Sequence, residues 1–70
     1  MSMLSKEQIA GRYLRTLINE NYDTQQDFAY DYGLKIRTVS RYINDGINKI
    51  SVIQELADFF NVDFLDFFRE

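Results

Sequence analysis

The sequence predicts an all-helical fold: five short helices in a compact bundle, forming one domain over residues 1–70. Three observations point there. Apolar residues recur every three or four positions rather than every second one. Proline is absent and only 3 glycines occur, so few sites can interrupt a helix. Each apolar segment is opened by a short polar residue or closed by a glycine or asparagine, the residue types that begin and end helices.

The first helix starts near Lys6. Ile9, Tyr13, Leu14, Leu17 and Ile18 form its apolar stripe, with Arg12, Arg15, Thr16 and Asn19 on the other side. The run "NENYD" ends it with side chains that compete for backbone hydrogen bonds. Thr24 reads as the next N-cap, accepting from the Asp27 amide while the Asp27 carboxylate reaches back. The second helix, about 25–32, turns Phe28, Ala29 and Tyr32 inward and stops at Gly33, where a left-handed turn is expected. A third helix over about 36–44 carries Val39, Tyr42 and Ile43 inward, with Lys35 standing at its cap position. Lysine is poor capping chemistry. A Ser51–Gln54 capping box is expected to open the fourth helix, whose stripe is Ile53, Leu56, Ala57 and Phe60. Asp63, paired with Asp66, is expected to open a short fifth helix that buries Phe64, Phe67 and Phe68.

A chain of this length buries only ~60% of its unfolded surface, so its core alone is marginal. Such domains usually add disulfides, a metal or a partner subunit. Cysteine and histidine are both absent, which excludes disulfides and zinc-finger ligation. A dense core, a second subunit, or both must serve, and 46% apolar with 16% aromatic residues suits that. No apolar run approaches the roughly 18 residues of a membrane span, and no leader pattern is present, so a cytoplasmic protein with no membrane association is expected. No enzyme can be assembled either: there is no glycine-rich phosphate loop and no metal-ligand spacing, and Asp63 and Asp66 read as caps. No catalytic residue, cofactor or metal is expected.

The charges are lopsided. Residues 6–41 hold six basic and five acidic side chains, a sum of +1; residues 42–70 hold two basic and six acidic, a sum of −4. An overall charge of −3 is compatible with binding a polyanion when one face is positive. Lys35, Arg37 and Arg41 stand within seven residues with no acid among them. Helices two and three are separated by about three residues around Gly33, with the small Ala29 before it and Val39 after it. This spacing suits a steep helix crossing, a helix-turn-helix over about 24–44.

Here the chain resembles a known family, the Cro and phage-repressor type of helix-turn-helix domain, often called XRE-like, whose fold is that of lambda repressor. The likeness runs over residues 9–68. It is carried by "TQQDFAYDYGL", where Gln25, Phe28, Ala29 and Gly33 match the family pattern, by "TVSRYI", and by "LADFFNVDFLDFF". Four features depart from the family: Lys35 in place of a Ser or Thr cap, replacement of the usual Glu near the end of helix three, no proline before helix four, and a loop "INDGINK" about one residue longer.

The resemblance implies a sequence-specific binder of double-stranded DNA, a transcriptional regulator of repressor type from a bacterial or phage source. Base contacts would come from Ile36, Arg37, Ser40 and Arg41, where a guanidinium can bridge O6 and N7 of guanine. Phosphate contacts would come from Gln25, Lys35, Thr38, Asn44 and Asn48. Gln25 reads equally well as an ordinary first-turn residue, Arg12 and Arg15 as solvated or locally paired, and Tyr30 as a plain surface tyrosine. The family also implies a homodimer on a palindromic operator, with Phe59, Leu65 and Phe68 as interface candidates; the alternative is that these aromatics only fill the core. A protein-interaction module of antirepressor or antitoxin kind, keeping the fold without DNA, is the rival reading. The chain stops directly after the last helix, which leaves room for a further C-terminal domain in a longer regulator.

Overall fold

In the computed structural model, residues 4–69 are described. Four α-helices follow one another: α1 (Lys6–Asn21), α2 (Gln25–Tyr32), α3 (Ile36–Asp45) and α4 (Ile50–Phe60), then a 3-10 segment (Phe64–Phe68). There is no strand among the described residues. The radius of gyration of 11.2 Å matches the ~11 Å of a well-packed chain of this length.

The fifth element is therefore a 3-10 turn and not a fifth α-helix. Asp63 caps it, accepting from the Leu65 amide at 2.9 Å. Asp66 makes no return bond; its carboxylate pairs instead with Arg69 at 3.3 Å. Five residues are too few to gain much from α-helical bonding, and the tighter turn suffices to bury Phe67.

α4 also begins differently from expectation. Its N-cap is Lys49, whose carbonyl accepts from Val52 (3.1 Å) and Ile53 (3.3 Å). Ser51 already has helical backbone, so the Ser51–Gln54 box does not form, and Gln54 donates to Asp58 at 3.1 Å. The box lies elsewhere, at the start of α1, where Ser5 and Gln8 exchange both bonds. At α2 only the forward bond forms, from the Asp27 amide to the Thr24 hydroxyl at 3.0 Å. Gly33 ends α2 at φ 91°, its amide and that of Leu34 both donating to the Ala29 carbonyl. Asn61 does the same duty for α4 at φ 59°.

The core draws on every element. Leu14 and Ile18 of α1, Phe28 of α2, Val39 of α3, Ile53 and Leu56 of α4, and Phe67 are all buried, as is Ile47 in the loop. Full burial of each such side chain contributes ~1.5–3 kcal/mol. Phe28 stacks on Phe60 (5.5 Å) and Tyr32 (5.3 Å), tying α2 to α4, and Tyr13 meets Phe67 edge-on at 4.8 Å. The buried side of α1 is rotated from the expected stripe: Ala10 and Gly11 are inside, while Ile9 and Tyr13 are half-buried.

Gly11 is buried because α3 crosses α1 there. A Cβ on Gly11 would overlap the carbonyl oxygen of Tyr42, and one on Gly46 would lie 2.7 Å from the Glu7 carbonyl carbon. The Ile47 amide closes the crossing, donating to the Glu7 carbonyl at 3.0 Å. Two backbones thus meet with no side chain between them, and this contact fixes how α3 lies on the bundle.

Candidate nucleic-acid interface

α3 is strongly two-sided. Val39 faces the core, and with 3.6 residues per turn Arg37, Arg41 and Asn44 fall on the opposite side, with Ser40 at its flank. Arg37, Arg41 and Asn44 are exposed, Ser40 and Thr38 are half-buried, and Ile36 stands at the edge of the stripe with 42% exposure. Arg37 and Arg41 lie one turn apart and neither has a carboxylate within 4.0 Å; among the described residues the single ion pair is Arg69–Asp66. Asp45, one turn beyond Arg41 and exposed, does not reach it.

The helix starts separate into two kinds. α1, α2 and the 3-10 segment each have a side-chain cap and an acid in the first turn: Ser5 with Glu7, Thr24 with Asp27, Asp63 with Asp66. α3 and α4 have neither; they start at Lys35 and Lys49, with no side-chain cap bond and no first-turn acid. Forgoing a good cap costs about 1 kcal/mol at each end. The unsatisfied first-turn amides and the positive end of the helix dipole then stand beside an ammonium group. That combination attracts phosphate.

Arg41 shares one open groove with Asn48 and Lys49, between the end of α3 and the start of α4, with Glu7 and Asp45 also on its rim. The basic stripe therefore runs from Lys35 along α3 to Arg41, and in the groove beyond it two cations, Arg41 and Lys49, face two acids, Glu7 and Asp45. Gln25 is half-buried at the first position of α2, in a turn where the Thr24 hydroxyl accepts from the Asp27 amide and the Thr24 carbonyl from the Phe28 amide. Farther along α2 the surface is acidic, with Asp27 and Asp31 exposed. The Tyr22 hydroxyl donates to Asp31 at 2.6 Å. That bond, with some burial and the carboxylate's charge, pushes the Tyr22 phenol up to about 12.

The three interface candidates do not share a patch. Leu65, 60% exposed, and the half-buried Phe68 line an apolar groove with Phe64, Ile53 and Ile47, and Ile50, 62% exposed, completes it. Phe59, 43% exposed, belongs elsewhere: its ring packs on Tyr32 (4.8 Å) and Phe60 (5.2 Å). Lys49 and Ile50 were absent from the candidates. The strong-looking cap at Ser51 hid both, whereas starting α4 two residues earlier would have set Lys49 beside Lys35 as a second lysine cap.

Comparison of the chain with protein-family models, with curated proteins and with solved structures gave no match. What this surface can do is read from its own charges and shape. No helix among the described residues is long and apolar enough to cross a membrane.

Proposed function

We propose that the chain is a helix-turn-helix domain of the Cro and phage-repressor type that binds double-stranded DNA sequence-specifically and regulates transcription in the cytoplasm of a bacterium or of a phage's host. One observation carries the reading: among the described residues Arg37 and Arg41 have no ion-pair partner and share one helix face, and that helix lies between Lys35 and Lys49 at two helix starts without a side-chain cap. In this reading α3 enters the major groove. Arg37 and Arg41 reach guanine O6 and N7, Ile36 packs on a thymine methyl, and Ser40 adds a polar contact. Lys35, Lys49, Asn48, Asn44, Thr38 and Gln25 hold phosphates, which sets register without reading sequence. Repression follows from occupancy, with no chemistry performed. Two copies joined through Leu65, Phe68 and Ile50 would set two α3 helices ~34 Å apart, one turn of DNA, over a palindromic site.

The test is selection of bound sites from random duplexes at about 50 mM salt, where phosphate attraction is strong. The expected result is a palindromic motif containing guanines. Enrichment of no sequence would reject specific readout. The rival, a protein-interaction module, draws on the net charge of −3; a dimer that retains no duplex at that salt would favour it.

A further inference from the structure

A second concentration of positive charge lies on α1, away from α3. Arg12, Arg15 and Arg69 line one open groove of about 550 Å³, together with Ile9, Tyr13 and Asn19. α3 meets α1 at Gly11; at 100° per residue Ile9 lies on the far side of α1 from that contact and Arg12 on its flank, and no α3 residue lines the groove. The groove is therefore not an extension of the α3 stripe. Arg12 and Arg15 are exposed and have no carboxylate within 4.0 Å among the described residues. Arg69 spends one edge on Asp66 through Nε, which leaves its outer nitrogens available. Three guanidiniums against two nearby carboxylates, Asp66 and Glu20, leave the groove a surplus of one positive charge among the described residues. Its floor is different in kind: Ile9 and the Tyr13 ring are half-buried apolar surface, and the Asn19 amide offers both a donor and an acceptor.

We propose that this groove binds a small phosphate ester with an apolar or planar body, a mononucleotide in chemical class. The size supports a small molecule, since ligand sites commonly run about 300–1,000 Å³. The guanidiniums favour phosphate, whose oxygens they meet in parallel pairs. The apolar floor gives the organic body a surface that a bare anion would leave wet. Burial, with the charges of Asp66 and Glu20, raises the Tyr13 phenol, so at neutral pH it adds no negative charge to the groove and remains a hydrogen-bond donor.

Calorimetric titration of the chain with adenosine triphosphate and, separately, with inorganic pyrophosphate and citrate tests this. Two double variants are compared, Arg12→Gln with Arg15→Gln, and Arg37→Gln with Arg41→Gln; all four side chains are exposed, so both variants should fold, which far-ultraviolet dichroism checks. The expected result is saturable binding of adenosine triphosphate, weakened more than about ten-fold by the α1 pair and unchanged by the α3 pair. Pyrophosphate and citrate should bind more weakly than the nucleotide. Binding lost with the α3 pair, or untouched by the α1 pair, would overturn the site. Equal affinity for citrate or pyrophosphate would overturn the ligand class, and no saturable binding at all would overturn both. Because the two pairs are varied separately, this outcome is independent of whether α3 binds DNA.

Discussion

Among the described residues no carboxylate pairs with the exposed Arg37 and Arg41, and on a chain with 11 acids and 8 basic residues that isolation is itself information. Under the proposed reading each guanidinium contacts one guanine. Arg37→Ala should therefore cost ~1–3 kcal/mol on the selected site and relax preference at one base pair. A uniform loss across all sequences, measured by competition binding, would move Arg37 to the phosphate contacts. Tyr22 carries a second residue-scale expectation. Its hydrogen bond to Asp31 favours the neutral phenol, so the folded value of about 12 lies above the ordinary ~10 of an unfolded tyrosine. The stabilisation is complete below the unfolded value and is lost as pH rises through the folded one, a window from about 10 to about 12. In a tyrosinate absorbance titration Tyr22→Phe should delete the highest step; survival of that step would assign it to another tyrosine.

Among the elements, the lysine starts of α3 and α4 offer the cleanest separation of stability from binding. Lys35→Ser should supply the missing cap and stabilise the fold by about 1 kcal/mol. Under the proposed reading it should also weaken duplex binding and reduce the slope of log K against log salt by ~1. Thermal unfolding and a salt series read the two effects, and a variant that binds DNA as tightly as the parent would deny Lys35 a phosphate. The limits of α2 were legible because Thr24 and Gly33 each act through their own backbone neighbourhood, and local chemistry is what a sequence displays. So was the weak start of α3 at Lys35, and from it the exposed stripe of Arg37 and Arg41. The start of α4 was not, because Ser51 offers strong cap chemistry two residues after Lys49, where the helix begins. The buried side of α1 was misjudged for a related reason. Gly11 has no hydrophobic signature, and its role is defined by Tyr42 and Gly46, more than thirty positions away.

For the molecule as a whole, charge and apolar surface are segregated. The basic stripe follows α3, the acids gather on α2, on α4 and toward the C-terminus, and the largest exposed aliphatic side chains, Ile50 and Leu65, share one groove. If that groove joins two copies, Leu65→Asp should give a monomer by sedimentation while leaving helicity intact, since Leu65 is mostly exposed. Loss of a partner subunit should then weaken binding to a two-half-site duplex far more than to a half-site. An unchanged mass would show that the groove is not the contact.

The bare backbone contact of Gly11 and Gly46 bears on any attempt to retarget this domain. Transplanting new side chains at positions 36, 37, 40 and 41 should preserve the pose of α3, because none of them supplies an atom nearest to either glycine. A longer graft that replaced either glycine would instead pry the two helices apart, and the transplanted letters would then sit on a helix of altered tilt.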